Sequence, residues 1–242
     1  MCYHTSTAVE PKLKEYLPGY DVKNAAFYYH LSGFDHKFIP VTTNEHPLVV
    51  DGGIWGLVPG WVHESARAKE IADMTLNARC EKVFTTASYK NYIGKNRCLI
   101  WVDGFYEWQW RDNGKNKIPH YIYMPNHQPF SFGGIYSNWA RPDTGEIMTT
   151  VSIITTPAND LMAEIHNNKK RMPFIVLPEE RDKWLGQLDK QEIADIMRPC
   201  PDGLLQAHTI SKAISQRGID TNVPEIQKPV PYDLPPSTGT LF

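Results

Sequence analysis

The apolar residues of this chain occur in short runs that are rich in aromatic and β-branched side chains. Glycine, proline and asparagine separate these runs, which is typical of strands joined by turns. We predict strands at IWGLV (54–58), CLIWVDGFYEW (98–108), HYIYM (120–124), FSFGGIY (130–136), MTTVSIIT (148–155) and FIVL (174–177). The pattern therefore predicts a strand-rich core.

Local signals predict one turn and three helices. Asn113 and Gly114 separate EWQW from HYIYM, and both residues tolerate a positive φ, so these two strands should form a hairpin. Thr156 could cap a helix whose first turn contains Pro157. The predicted helices cover 157–165, 179–188 and 191–197. This mixture indicates an α+β fold and not a Rossmann repeat.

The length of 242 residues suits a single globular domain with a substantial core. The formal net charge of -2 gives no global attraction for polyanions, so any nucleic-acid contact requires a local basic patch. No apolar run approaches the roughly 20 residues of a membrane helix, and the first residues are too polar for a secretory signal. We therefore expect no membrane partner and a cytoplasmic location. The proline-rich residues 224–242 are predicted to form an extended tail behind a domain at 1–223.

The cysteines give no sign of a metal site or a disulfide framework. Cys2, Cys80, Cys98 and Cys200 lie far apart, without a CxxC pair or neighbouring histidines at ligand spacing. We interpret Cys98, inside RCLIWV, as a small buried hydrophobe on a strand. The sequence also lacks a Walker-type loop, a dinucleotide fingerprint, HExxH and GxSxG. We expect no metal and no cofactor.

Methionine aminopeptidases generally accept a small second residue, so Met1 could be removed. Cys2 would then become the first residue of the chain. Its α-amine would have a pKa near about 7.7–8.0, beside a thiol near about 8.5, so a useful fraction of the amine is neutral at physiological pH. Such an aminothiol condenses with an aldehyde to a Schiff base, and the thiol can then close a five-membered thiazolidine. A cysteine at this position is by itself a weak signal.

Four further segments follow the Met-Cys start in order: WGLVPGW at 55–61, NARCEKV at 77–83, RCLIWVDGFYEW at 97–108 and ITTPANDLMAEIHNNKKRMPFIVL at 154–177. Together they resemble the SOS-response-associated peptidase (SRAP) family, the abasic-site processing proteins, over nearly the whole chain. The resemblance implies a compact, β-rich, barrel-like α+β domain. It also implies that the N-terminal cysteine lies in a cleft facing DNA.

The resemblance implies four site residues: the nucleophile Cys2, the orienting residue Asn77, the general acid/base Glu107 and the second proton-transfer group His166. Abasic deoxyribose is mostly a closed hemiacetal, so a carboxyl group that protonates the ring oxygen would release the aldehyde. Formation of the Schiff base then expels water, and a histidine titrates in the useful range for that step. An asparagine could hold the amine or the opened sugar hydroxyl without adding charge.

Each of these roles has a plain structural alternative. Glu107 could be a strand residue on a solvated face. His166, at the end of a predicted helix, could bond helix carbonyls, and Asn77 could be a turn residue.

For DNA, the resemblance and the residue types suggest phosphate contacts by cations and base stacking on Trp61, although a charge run is usually solvated surface. Trp55 is assigned to the core. The cations are Arg79, Lys169, Lys170 and Arg171, and weaker candidates to line a groove are Thr155, Lys37, His208 and Lys212.

The sequence departs from the family pattern at two places. The start MCYH has His4 where the family more often has an arginine, so we expect weaker or more pH-dependent DNA affinity. The segment from His166 to Arg171 is longer than the common His-Asp-Arg-Met-Pro form, and its two lysines add positive charge.

The resulting hypothesis is a monomeric sensor of abasic sites in single-stranded DNA that forms a covalent thiazolidine cross-link through Cys2, and is nucleoid-associated when bound. Lyase activity and self-cleavage of Met1 are further activities of such a site. The alternatives are a cysteine peptidase or amidohydrolase with Cys2 as thiol nucleophile, and a non-covalent single-stranded DNA-binding module. The ending STGTLF faintly resembles bacterial sliding-clamp-binding peptides, which allows at most a weak clamp contact, and a tail without a partner is favoured.

Overall fold

The computed structural model describes residues 2–7 and 10–232. These residues contain fourteen strands: β1 (His4–Ser6), β2 (Asp21–Val22), β3 (Leu31–Ser32), β4 (Phe38–Thr43), β5 (Val49–Trp55), β6 (Asn77–Arg79), β7 (Arg97–Val102), β8 (Gly104–Arg111), β9 (Asn116–Tyr123), β10 (Phe130–Ala140), β11 (Ile147–Pro157), β12 (Arg171–Pro173), β13 (Ile175–Val176) and β14 (Gln206–Thr209). Five α-helices accompany them: α1 (Glu10–Tyr16), α2 (Ser65–Met74), α3 (Asp160–Ile165), α4 (Arg181–Leu185) and α5 (Lys190–Ile196). Short 3-10 turns lie at Gly33–Asp35, Asp112–Gly114, Pro125–His127, Pro178–Glu180, Lys212–Ser215 and Pro224–Gln227.

Five strands close into a small barrel in the order β11, β10, β7, β4 and β5. The closing pair, β5 with β11, is parallel, whereas the other four pairs are antiparallel. Val41 and Val151 meet inside, where a Cβ added at Gly53 would lie only 2.9 Å and 3.1 Å from their methyl carbons. Side chains alone fill a barrel of this size. The barrel-like α+β fold implied by the resemblance is confirmed.

The outer face of the barrel is covered by helices. Leu99, Trp101 and Ile135 point outward into a second buried cluster that includes residues of α1, α4 and α5. In α4, Trp184 donates its indole N–H to the carbonyl of Cys98 at 2.9 Å. Cys98 itself is completely buried, as predicted.

A second sheet, in the order β14, β9, β8, β1 and β3, packs against the barrel. Phe105 on β8 and Phe132 on β10 make an edge-to-face contact with ring centroids 5.6 Å apart. The N-terminal strand β1 lies between β8 and β3, pairing His4 with Tyr106 on one side and Ser32 on the other. This insertion carries the start of the chain into the core.

The predicted strands are present, with two corrections. The run at 98–108 is two strands of different sheets, β7 and β8, separated at Asp103. The run at 54–58 ends as a strand at Trp55, because Gly56 adopts a φ of 119° and a Cβ there would lie 2.8 Å from Nδ1 of His36. The predicted hairpin of β8 and β9 is confirmed, with φ values of 54° at Asn113 and 85° at Gly114.

The helix predicted at 157–165 is present as α3, but its predicted start is wrong. Thr156 and Pro157 still belong to β11, where they pair with Met172 and Arg171. The helix begins at Asp160, and its cap is Asn159, whose side-chain oxygen accepts the N–H of Met162 at 3.0 Å. Strand pairing outweighs the local capping signal here.

The first residues of the expected tail pack against the domain. Ile226 is only 5% exposed, and the hydroxyl of Tyr232 donates to the carbonyl of Ile210 at 2.8 Å. Residues 233–242, including the Leu-Phe ending, lie outside the described residues. The division at residue 224 stays a prediction.

Candidate active site and nucleic-acid groove

Cys2 is held at the entrance to the core by a residue of another strand. Its side chain is fully buried, in the same cluster as Trp55 and Leu76. The amide Nδ2 of Asn77 donates to the carbonyl of Cys2 at 2.8 Å. Burial, reinforced by the charge of Glu107, raises the pKa of the Cys2 thiol far above its usual range. At neutral pH the sulfur therefore carries its proton.

Asn77 lies on β6, parallel to β11, so its interpretation as a turn residue is wrong. The hydroxyl of Tyr89 donates to the carbonyl of Asn77 at 3.2 Å and fixes the backbone. The side-chain Oδ1 is buried and accepts no hydrogen bond from residues 2–7 or 10–232. Asn77 thus has an unused acceptor beside Cys2.

Glu107 lies on the inner face of β8, in line with Phe105. It is 5% exposed, which excludes the solvated-face alternative. Burial raises the pKa of its carboxyl group to about 8, although a bond from the backbone N–H of Trp108 acts in the opposite direction. At neutral pH the carboxyl group is mostly protonated and can donate.

His166 follows α3 and turns its ring toward β8. Its Nδ1 lies 2.8 Å from the carbonyl oxygen of Arg171, and because a carbonyl only accepts, Nδ1 carries the proton. The imidazole therefore bonds the start of β12. Burial, reinforced by the charge of Lys169, lowers the pKa of His166 to about 4. The expectation that it titrates near neutral pH is not met, and the ring is uncharged there.

The sulfur, the carboxyl group and the imidazole form one buried site. Oε1 of Glu107 lies 3.7 Å from Nδ1 of His166. Burial and, after it, the charge of Glu107 raise the pKa values of the Cys2 thiol and the Tyr3 hydroxyl. Opposite pKa shifts in neighbouring groups are typical of an acid and a base used in one reaction. The arrangement can supply a proton, accept one and present a nucleophile away from water.

A groove of about 480 Å³ runs along α2 and β6. Trp61 is 51% exposed on its wall, and Arg79 is exposed at the end of β6. Asn77 lines the same groove, so the groove reaches the residue that holds Cys2. The remaining lining residues include Met74 and Lys82. Aromatic and cationic side chains along an open groove suit a single nucleic-acid strand.

Arg171 and Thr155 lie inside the protein. The guanidinium of Arg171 binds both carboxylate oxygens of Glu81 and also donates to the Thr155 carbonyl at 2.6 Å. Arg171 is 9% exposed and Thr155 is fully buried. The phosphate contact predicted for Arg171 stays untested, and the exposed Lys170 is the better-placed cation of that run.

A second cleft, of about 980 Å³, is lined by His4, His30 and Trp108 among others. His4 Nδ1 is 2.9 Å from His30 Nε2, whose ring continues through Nδ1 to the hydroxyl of Thr221 at 2.7 Å. The ring of Trp108 meets His4 edge-on, with centroids 4.8 Å apart. Burial lowers the pKa of His4 to about 4 and that of His30 to about 3, so both are uncharged at neutral pH.

Sequence reasoning missed several of these partners. His30 and Thr221 lie far from residue 4 in the chain, and no local pattern links them. Glu81 was within reach, because it belongs to the segment NARCEKV that carries the family resemblance. Among the described residues, no helix is long and apolar enough to cross a membrane, and no three His, Cys, Asp or Glu residues are grouped to hold a metal ion.

Comparison with known proteins shows the family to which the chain belongs. Residues 1–217 match the sequence model of the SOS response associated peptidase (SRAP) family, so the chain belongs to that family. It is 33% identical over 174 residues to the abasic site processing protein YoqW of Bacillus subtilis, covering 71% of this chain and 73% of YoqW. It is also 31% identical to the abasic site processing protein HMCES of Gallus gallus, covering 75% of this chain but only 57% of HMCES.

Solved structures show the same fold. A crystal structure of a protein from Bacteroides thetaiotaomicron is 35% identical, with a TM-score of 0.84, and the match covers 95% of this chain and 100% of that one. A protein from Bordetella bronchiseptica, 20% identical with a TM-score of 0.75, shares the fold over 87% of this chain and 100% of that one.

Proposed function

We propose that this protein processes abasic sites in single-stranded DNA by forming a thiazolidine cross-link through Cys2, once loss of Met1 has given that residue a free α-amine. One observation carries the proposal. Asn77 lines an open groove and holds Cys2, whose thiol is close enough to the buried Glu107 and His166 pair for the charge of Glu107 to raise its pKa. The relatives named as abasic site processing proteins supply the substrate class.

The pair provides the proton transfers that the reaction needs. Protonated Glu107 donates to the ring oxygen of the closed sugar while a base removes the hydroxyl proton, and the aldehyde opens. The α-amine of Cys2 then attacks the carbonyl carbon, a proton reaches the resulting hydroxyl, and one water leaves as the C=N bond forms. The thiol adds across that bond: sulfur joins carbon, and the thiol proton goes to nitrogen. The oxygen of Asn77 can hold the amine in place during the attack.

The protonation state of the Cys2 thiol favours this order of reaction steps over the peptidase alternative. A cysteine peptidase requires a thiolate, which is the nucleophilic form, and thiolates occur in electropositive, partly exposed surroundings. Here the thiol is buried beside a carboxyl group and its pKa is raised. An attack that begins with the amine and uses the thiol last is compatible with that environment.

The same acid and base would serve two related activities, strand cleavage at the Schiff base and removal of Met1 by the chain itself. We propose that the protein acts as a monomer in the cytoplasm and joins the nucleoid when bound to DNA. If Met1 is removed autocatalytically, the Glu107→Gln variant will keep the methionine and the wild type will not. Measurement of the intact masses of the two proteins tests this.

A heat-stable adduct on a denaturing gel tests the proposal. Processed wild-type protein should cross-link an abasic single strand, and should not react with a tetrahydrofuran analogue, which has no aldehyde. Cys2→Ala should abolish the adduct. Blocking the α-amine while sparing the thiol separates the alternatives, since a thiol hydrolase would keep peptide cleavage. A non-covalent module would bind equally well with and without Cys2 and would form no adduct.

A further inference from the structure

The strand that carries Glu107 has an edge that β1 does not cover. The pairing of β8 with β1 extends from Gly104 to Tyr106 only. Further along, the side chain of Asn167 covers this edge. Its Oδ1 accepts the N–H of Trp110 at 3.0 Å, and its Nδ2 donates to the carbonyl of Trp110 at 2.9 Å. Asn167 therefore bonds both backbone groups of one residue, as a neighbouring strand would.

A second tie joins the same two segments. Gln109, which is 5% exposed, donates its side-chain N–H to the carbonyl of Glu164 at 3.3 Å. The guanidinium Nε of Arg111 donates to the other end of the Gln109 amide at 3.0 Å and fixes its orientation. Glu164 and Asn167 lie on either side of His166 in the chain. The two ties thus hold the end of α3 on β8, on both sides of the histidine.

The length of the loop between His166 and β12 does not by itself hold the imidazole in place. Its residues 167–170 are exposed, and the chain returns to β12 through Lys170, which adopts a φ of 48°. Four exposed residues thus separate His166 from β12. An exposed loop has many conformations to lose on folding, so side-chain ties to the strand become important for the position of its first residue.

We propose that Asn167, together with Gln109, is a positioning residue that sets the separation of Glu107 and His166. The inference rests on the proposed function, because that separation matters only if the pair transfers protons. Without Asn167 the loop would move away from β8 and admit water beside the imidazole. A displacement of about 1 Å at such a pair can cost about 100-fold in rate.

The groups around Glu107 and His166 determine how a displacement of the loop would change their pKa values. His166 faces Glu107, the carbonyl of Arg171 and the positive charges of Lys169 and Arg171, whereas Glu107 faces the Cys2 thiol and Tyr3. Burial is the largest cause of both pKa shifts. Added water would therefore raise the pKa of His166 toward 6.5 and lower that of Glu107 toward 4.5.

Asn167→Ala tests the inference, with Asn168→Ala as a matched control that truncates the adjacent exposed asparagine and keeps Asn167. At saturating abasic DNA, Asn167→Ala should slow adduct formation about 10- to 100-fold. The decline of the rate on the alkaline side should move to lower pH. Affinity for the unreactive tetrahydrofuran strand should stay that of the wild type. Asn168→Ala should match the wild type in all three measurements.

A measurement without DNA separates this inference from the proposed function. NMR titration of the His166 ring protons should show a higher pKa in Asn167→Ala than in the wild type and in Asn168→Ala. Equal titration in the three proteins would overturn the inference, as would equal rates and pH profiles of Asn167→Ala and Asn168→Ala. A wild type that forms no adduct would refute the proposed function, while the NMR titration would still decide whether Asn167 positions the pair.

Discussion

Oε1 of Glu107 lies 3.7 Å from Nδ1 of His166, and each side chain is only 7% exposed. Their burial shifts the two pKa values in opposite directions, to about 8 for the carboxyl group and about 4 for the imidazole. At neutral pH the pair is thus a neutral acid beside a neutral base, and not an ion pair. This state lets one group donate a proton while its neighbour accepts one.

Glu107→Gln should slow the cross-linking reaction, because the amide keeps the size of the side chain but cannot deliver the carboxyl proton. We expect the rate at saturating DNA to fall about 10²- to 10⁴-fold. Binding of a tetrahydrofuran strand should not change. The rate is followed by gel or by mass. An adduct that forms as fast as in the wild type would show that Glu107 is not the acid.

Glu107 should also make the folded protein less stable as the pH rises from 6.5 to 8. The unfolded chain releases this proton near pH 4.5, whereas the folded chain keeps it to about pH 8. The folded state then binds the extra proton, so stability falls with pH by at most about 1.4 kcal/mol per pH unit.

The test of this pH dependence uses the range from pH 6.5 to 8, in which the buried histidines have little effect, and Glu107→Gln as the control. His4, His30 and His166 have lowered pKa values and act in the opposite direction, but only below their ordinary value of 6.5. Denaturation midpoints at pH 6.5 and pH 8 measure the decline. It should disappear in Glu107→Gln, and parallel curves for the two proteins would contradict the assigned pKa.

Trp61→Ala should weaken DNA binding without affecting the fold. The side chain is 51% exposed, so its loss should change the free energy of unfolding by less than about 0.5 kcal/mol. Stacking of one base is worth about 1–3 kcal/mol, which predicts about 5- to 150-fold weaker binding of a tetrahydrofuran strand. Ile147→Ala, which truncates a side chain that is 64% exposed and does not line the groove, is the control. Equal affinities of the two variants would remove Trp61 from the DNA path.

Arg171→Lys should destabilise the fold. A lysine cannot bind both oxygens of Glu81 and still reach the Thr155 carbonyl, because it lacks the planar fork. Since the Glu81 side chain is half exposed, water screens part of the pair, and we expect a loss of about 1–3 kcal/mol. Arg67→Lys, in a pair with Glu70 on the exposed face of α2, should cost less than about 0.5 kcal/mol. Urea denaturation measures both, and equal costs would contradict the buried role of Arg171.

Features set by neighbouring residues were predictable from the sequence. The turn at Asn113 and Gly114 depends on two residues that tolerate positive φ, and the structure has it there. The burial of Trp55 and Cys98 follows from their apolar surroundings. The family resemblance added the barrel, which depends on contacts between distant strands such as β5 and β11.

Features set by distant contacts were not predictable. The start of α3 was misplaced because Pro157 pairs with Arg171 across the sheet. Arg171 is predicted to contact phosphate, and no local pattern indicates that Glu81, ninety positions away, binds its guanidinium. The protonation state of His166 depends on burial by other elements, which its own segment does not reveal.

The mass of the covalent product tests the central claim most directly. Processed protein is incubated with an abasic single strand, and the intact complex is weighed and then digested to locate the linkage. The account predicts one product whose mass is the sum of protein and oligonucleotide less one water, attached through the N-terminal cysteine that was Cys2. A strand that stays unmodified, or a linkage at any other residue, would contradict it.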